Sequence, residues 1–520
     1  MLRADRLRTP IVLAAVVTLF AGWQTLYFTC DDAYIAFRYV ANHMVGRGWT
    51  WNPPPFAPVE GYTSFAWVVL LEWGWRITGL EPPIASNLLG LGFGITTLLL
   101  ATALVDRIGF RRPMLVLGLV LLGTVTNRTF LMWTTSGLET AMFVAVFTWW
   151  LYAALAREGN RGTAQAVQLF SAASLLSLVR PDGYLFLAAC FPLLFAWRAT
   201  NVAGSKPSVW AALPSLAVAT HVVWRHQTYG EWLPNTYYAK SAGMWPSAGF
   251  RYLASFVVEY GIYVWILVAT AALGVAISRR ARPTTDSIST MLAVGAVVGH
   301  VAYYTVMIGG DHFEYRVFAH LVVPLFLSAA WLAEFLSARA VRLVGIVGLF
   351  IGLSWPIPWT EWSLSRDLST RSQTQWLVVP VADSLPLPLR PVGHVWENLQ
   401  RWLVPHSIGM RHQEHATLAD TLVATLPTRE EGANAQSRWI TPLGSVGVLG
   451  WVYPNVAIID VFGLNDRVVA RWKTREEAGL DRRMAHDRLY PKGYYDCWRF
   501  NALGGQSTET LSLTFHADIP

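Results

Sequence analysis

"FTCDDAYIAFRYV" (residues 28–40) follows directly on an apolar run, Pro10 to Phe28, and opens with two adjacent carboxylates, Asp31 and Asp32. How this junction is read decides the fold. A run of about 20 apolar residues crosses a bilayer, and the basic "MLRADRLRT" before it could introduce a secretory signal. No small-x-small cleavage site follows, so the run reads as an uncleaved anchor. Composition agrees, because a 520-residue chain that is 53% hydrophobic, 14% charged and holds 26 Trp, with a mean hydropathy of +0.36, has more apolar surface than a soluble fold buries. A polytopic α-helical membrane protein is expected.

The net charge of +7 sets orientation in such a chain. No helix-turn-helix, zinc finger or aromatic-basic RNA motif accompanies it, so nucleic acid is not a partner. The three cysteines, Cys30, Cys190 and Cys497, have neither metal-ligand spacing nor a disulfide framework.

Apolar runs at 10–28, 84–105, 113–132, 138–155, 165–179, 184–197, 208–223, 252–277, 289–307, 317–335 and 341–357 predict eleven spans. Alternate connectors ("MLRADRLRT", "DRIGFRR", "AREGNRG", "WRATNVAGSK", "SRRAR", "SARAVR") are short and basic, which assigns them and the N-terminus to the cytoplasm. The odd count leaves the C-terminus outside. Residues 1–359 then form the membrane domain, with 29–83 as a first outer loop in which the Trp-rich segment 63–80 lies along the interface. Residues 360–520 are more charged and read as an extracytoplasmic α/β domain. There "HATLADTLVATLP" has helical spacing, and "GSVGVLGWVYPNVAIIDVFGLND" reads as two strands turning at Pro454 and Asn455.

This threading places most polar clusters on the outer side: "CDDAYIAFRY", "VEGYTS", "TSGLET", "RPDG", "YGEWLPNTYYAKSA" and "GGDHFEYR". Irregular polar backbone at a membrane lines a cavity instead of touching lipid. Each cluster also has a purely structural reading. Asp31 and Asp32 can cap the helix that begins after them. Glu139 and Asp182 read as cap or turn residues at span ends, and Lys240 can snorkel to the interface.

The motifs "DDAYIAFRY", "GRGWTWNP", "VEGYTS", "RPDG", "LPNTYYAK", "GGD" and "IIDVFGLNDRVVAR" run in this order over nearly the whole chain. Together they resemble the bacterial GT-C glycosyltransferases related to the mycobacterial terminal arabinofuranosyltransferase. The resemblance implies a transferase of the bacterial inner membrane. It would move a sugar, with arabinofuranose one candidate, from a polyprenyl-phosphate donor to an extracytoplasmic glycan, lipid or protein. A carboxylate must take the acceptor's proton or stabilise charge at the anomeric carbon, and Asp31 is the first candidate, Asp32 the second. Lys240, His312 and Arg316 are candidates for holding the departing phosphate. Glu60, Tyr62, Asn235, Tyr237, Tyr238 and Asp311 are candidates for contacting the sugars. No cofactor is expected; a divalent metal on Asp31 and Asp32 is disfavoured, because adjacent helical side chains diverge and the motif offers no third ligand. The competing classes are a transporter or flippase of lipid-linked sugars, which predicts repeated halves and broken helices at the midplane, and an envelope glycan-binding protein.

Overall fold

The computed structural model describes residues 2–54, 56–200, 206–240, 243–279, 285–434 and 440–503. Among these, six helices are long and apolar enough to cross a membrane: Leu7–Thr25, Pro82–Ile108, Pro181–Thr200, Ser287–Ile308, Arg316–Leu336 and Ala340–Ser365. Three shorter apolar helices, Pro113–Thr126, Thr140–Ala154 and Thr163–Val179, pack among them. The chain is a helical membrane protein.

The run 252–277 is not the single span expected. Helices Pro246–Glu259 and Ile262–Ser278 meet at 90°. The break falls at Gly261, whose φ of +60° suits glycine and which lies so close to Leu353 that a Cβ would come within 2.9 Å of that residue's own. The segment 63–80 forms the helix Phe65–Thr78, which exposes Trp73 and Ile77 while burying Glu72. That carboxylate is held by Arg76 (2.6 Å) and by His43 (2.9 Å).

After the junction the chain turns into the helix Asp31–Met44, with both acids in its first turn, where the helix dipole favours negative charge. Its inward face is polar as well as apolar, and this is what docks the C-terminal residues. The buried Arg38 donates to the carbonyls of Trp51 (2.7 Å), Gly450 (2.9 Å) and Val456 (2.7 Å). Val446, Val448, Trp451 and Val452 share one apolar cluster with Phe37 and Tyr39. A second tie is ionic. Arg411 lies 3.0, 3.1 and 3.2 Å from Glu259, Glu314 and Glu361, and Arg128 reaches Glu314 (3.3 Å) and Glu361.

"HATLADTLVATLP" is helical as expected up to Thr425, within the helix His412–Thr425. The two strands expected in 444–466 are one. Gly447–Val452 is a helix, and Ala457–Asp460 pairs in parallel with Ile440–Leu443. The helix forms because the Asp31 carboxylate accepts its leading amides. Cys30 and Cys190 are buried and Cys497 is exposed, and none of the three forms a disulfide among the described residues.

Candidate active site

Six polar motifs far apart in sequence converge on one cavity of about 260 Å³. Asp32 borders it from the helix Asp31–Met44, Gly61 to Ser64 from "VEGYTS", and Gly137 to Glu139 from "TSGLET". Arg180 to Asp182 come from "RPDG", Leu233, Pro234, Thr236, Tyr237 and Lys240 from "LPNTYYAK", and Gly310, Asp311 and Arg316 from "GGDHFEYR". Tyr303, Tyr304 and Ile308 at the end of one span complete that wall, while Leu464, Met484 and Ala485 close it from the C-terminal residues. The cavity thus lies where several spans begin or end.

The acidic pair divides. Asp31 does not border the cavity; its Oδ2 accepts from the Gly447 amide (3.2 Å) and its Oδ1 from the Val448 amide (2.8 Å). Burial pushes its carboxyl up to about 6, against the pull of these two amides. The first-choice proton acceptor is therefore a cap for the helix Gly447–Val452, and the carboxylate at the cavity is Asp32. Helical geometry turns neighbours about 100° apart, so one of two adjacent acids faces the C-terminal residues and the other the opening.

The lining charges are held in ion pairs, with two exceptions. Arg316 grips Asp311 through Nε (3.0 Å) and Nη2 (3.2 Å), and its guanidinium stacks 4.3 Å over the Phe313 ring. Arg180 holds Asp182 (3.1 Å) and Glu139 (3.2 Å). Arg225 pairs with Glu60 at 2.5 Å. Asp32 and Lys240 alone make no ion pair with the described residues. The Lys240 side chain is exposed at the cavity's edge.

The remaining expected residues separate into lining and support. Tyr62 borders the cavity with its hydroxyl 3.2 Å from that of Tyr229, and Tyr237 borders it with an exposed ring. Four do not border it. Glu60 is buried against Arg225, and burial pushes its carboxyl up to about 7. Asn235 is a staple: its Nδ2 lies within hydrogen-bonding distance of the carbonyls of Gly463 (2.8 Å), Leu464 (3.0 Å) and Asp466 (3.2 Å). Tyr238 lies under the Arg471 guanidinium at 4.0 Å. His312 points its Nδ1 at the Ser407 carbonyl (2.9 Å), so that nitrogen carries a proton. Burial lowers its pKa, against the pull of Asp32 and Asp311.

The tail motif "IIDVFGLNDRVVAR" is likewise a scaffold. Asp460 accepts from the Phe462 amide (2.9 Å) and from the amide and side chain of Asn465 (3.1 and 3.0 Å), and Asp466 accepts from the amides of Val468 and Val469. Only Leu464 of this stretch borders the cavity. Among the described residues no group of three His, Cys, Asp or Glu side chains is arranged to hold a metal ion. Sequence reading missed Arg180, Tyr304 and His300. A cation opening "RPDG" at a span end and a histidine inside an apolar helix were the available signals.

Comparison with protein-family models, with curated proteins and with solved structures finds no match to this chain.

Proposed function

We propose that the cavity transfers a sugar from a polyprenyl-phosphate donor to a hydroxyl of an extracytoplasmic glycan, lipid or protein. On this reading the chain is a multi-span GT-C-type transferase of the bacterial inner membrane. Its N-terminus is cytoplasmic, and residues 360–520 lie outside.

The observation that carries the reading is the charge pattern of the lining: Asp32 and Lys240, neither in an ion pair among the described residues, share the cavity with two guanidiniums, Arg180 and Arg316. A lipid phosphate sits at the level of span ends, where this cavity lies. In transfer the acceptor hydroxyl gives its proton to the Asp32 carboxylate as its oxygen bonds to the anomeric carbon. The bond from that carbon to the phosphate oxygen breaks, and the electron pair leaves with the polyprenyl phosphate. Arg316, Arg180 and Lys240 stabilise the charge that develops there. Exposed apolar residues beside the lining, Trp232, Val306 and Met307, suit the exit of an isoprenoid tail into lipid.

The test is mass spectrometry of envelope glycans, glycolipids and surface proteins from cells carrying the wild-type chain, no chain, or Asp32→Asn. Loss of one sugar in both the deletion and Asp32→Asn supports transfer. Unchanged glycans in the deletion contradict it.

A further inference from the structure

Arg180 reaches the cavity at the centre of a network that continues away from it. Its Nε donates to Asp182 Oδ1 at 3.1 Å, and its Nη1 to Glu139 Oε1 at 3.2 Å. Its Nη2 donates to the Tyr304 hydroxyl at 2.8 Å. All three guanidinium nitrogens are engaged, which fixes the plane of the group.

The second oxygen of Asp182 accepts from the Tyr304 hydroxyl (3.0 Å) and lies 2.9 Å from His300 Nε2. His300 is fully buried and does not border the cavity; its ring packs against Phe186 and His320. Its Nδ1 has no hydrogen-bond partner among the described residues, and an ionised carboxylate only accepts, so the proton on Nε2 points at Asp182. A histidine buried in an apolar helix is costly to keep without a task.

Tyr304, one helical turn after His300, belongs to a distinctive piece of backbone. The helix Ser287–Ile308 ends in a π-helical turn, Tyr303–Ile308, a geometry that concentrates at functional sites. The Tyr304 carbonyl accepts from the amides of both Gly309 and Gly310 at 2.9 Å, and Asp311, which grips Arg316, follows at once. One turn of backbone therefore supports both guanidiniums.

We propose that His300 is a positioning residue for anion binding: its Nε2 proton fixes Asp182, and Asp182 with Tyr304 aims Arg180 at the phosphate of the donor. The inference rests on the donor reading above. It is tested by the binding of decaprenyl phosphate to the purified full chain, followed by native mass spectrometry, with melting temperature recorded alongside. His300→Leu removes the donor and is expected to weaken binding by about tenfold or more, the share of one hydrogen bond to a charged group. His300→Gln, whose amide nitrogen can take the place of Nε2, is expected to restore most of the affinity. Should His300→Leu fail to fold, His300→Asn replaces it, since the shorter amide does not reach Asp182. Wild-type affinity in the Leu or Asn variant, or equal weakening by Gln, overturns the positioning role alone. No binding by the wild-type chain overturns the donor reading with it.

Discussion

Asp31 and Asp32 stand side by side in the first turn of one helix and serve opposite neighbours. Asp31 accepts the amides of Gly447 and Val448 at 3.2 and 2.8 Å, so it ties the C-terminal residues to the helix, whereas Asp32 borders the cavity with no ion pair among the described residues. Gly447 shows how tight this tie is, because a Cβ there would collide with the Asp31 carbonyl. The same helical turn thus joins the cavity wall to the helix Gly447–Val452.

Asp32→Asn keeps the size of the side chain and removes its ability to take a proton. Transfer should fall by at least about 100-fold, the usual share of a general base, with the melting temperature unchanged. Steady-state kinetics and a thermal melt on the same preparation check both halves.

Asp31→Asn should keep transfer activity and change the dependence of stability on pH. Burial raises the Asp31 carboxyl from 3.8 to about 6 in the folded chain. A raised pKa contributes stability that is fully present below about pH 4 and is lost as pH rises through about 6, on the order of 3 kcal/mol. Thermal melts of the wild-type chain and Asp31→Asn from pH 4 to pH 8 should therefore show the variant gaining on the wild type as pH rises. Asp31→Ala, which strips two buried amides of their acceptor, should melt lower than either at every pH, by about 1–3 kcal/mol for each amide.

Lys240→Met removes a cation that balances no carboxylate among the described residues, so folding should be untouched. Donor kcat/KM should fall by about 10- to 100-fold, the loss of one charge-assisted contact to phosphate. Arg316→Gln should cost activity and stability together, because it leaves Asp311 without its partner 3.0 Å away.

Asn235→Ala should act on stability. Its side chain reaches three carbonyls of the Gly463–Asp466 turn and accepts from Arg471 at 3.0 Å. Removing it should cost about 1–3 kcal/mol, seen as a lower melting temperature and earlier protease cleavage after residue 463. Activity per folded molecule should persist.

The membrane class was legible because apolar length and composition are local properties, and the polar motifs stood out because a bilayer makes such residues costly. Their sharing of one side followed from the alternation of basic connectors, but no local rule brings "RPDG" next to "GGD". Other features depended on partners distant in the chain. Asp31 and Asp32 cannot be told apart until the amides of Gly447 and Val448 are in place. The strand pattern of "GSVGVLGWV" yields to a helix for the same reason. Run 252–277 is continuous in hydropathy, but its right-angle bend depends on Gly261 meeting Leu353. Asn235, Tyr238 and Glu60 looked like sugar contacts by residue type, and their carbonyl and arginine partners lie up to 236 positions away.

The most direct test of sugar transfer at this cavity is turnover by the purified chain in lipid nanodiscs. The chain would be supplied with polyprenyl-phosphate-linked radiolabelled pentose and an envelope glycan extract as acceptor. The account predicts label moving into the glycan with release of polyprenyl phosphate, at full rate for Asp31→Asn and at background for Asp32→Asn. Full activity in Asp32→Asn, or loss of activity confined to Asp31→Asn, would contradict it.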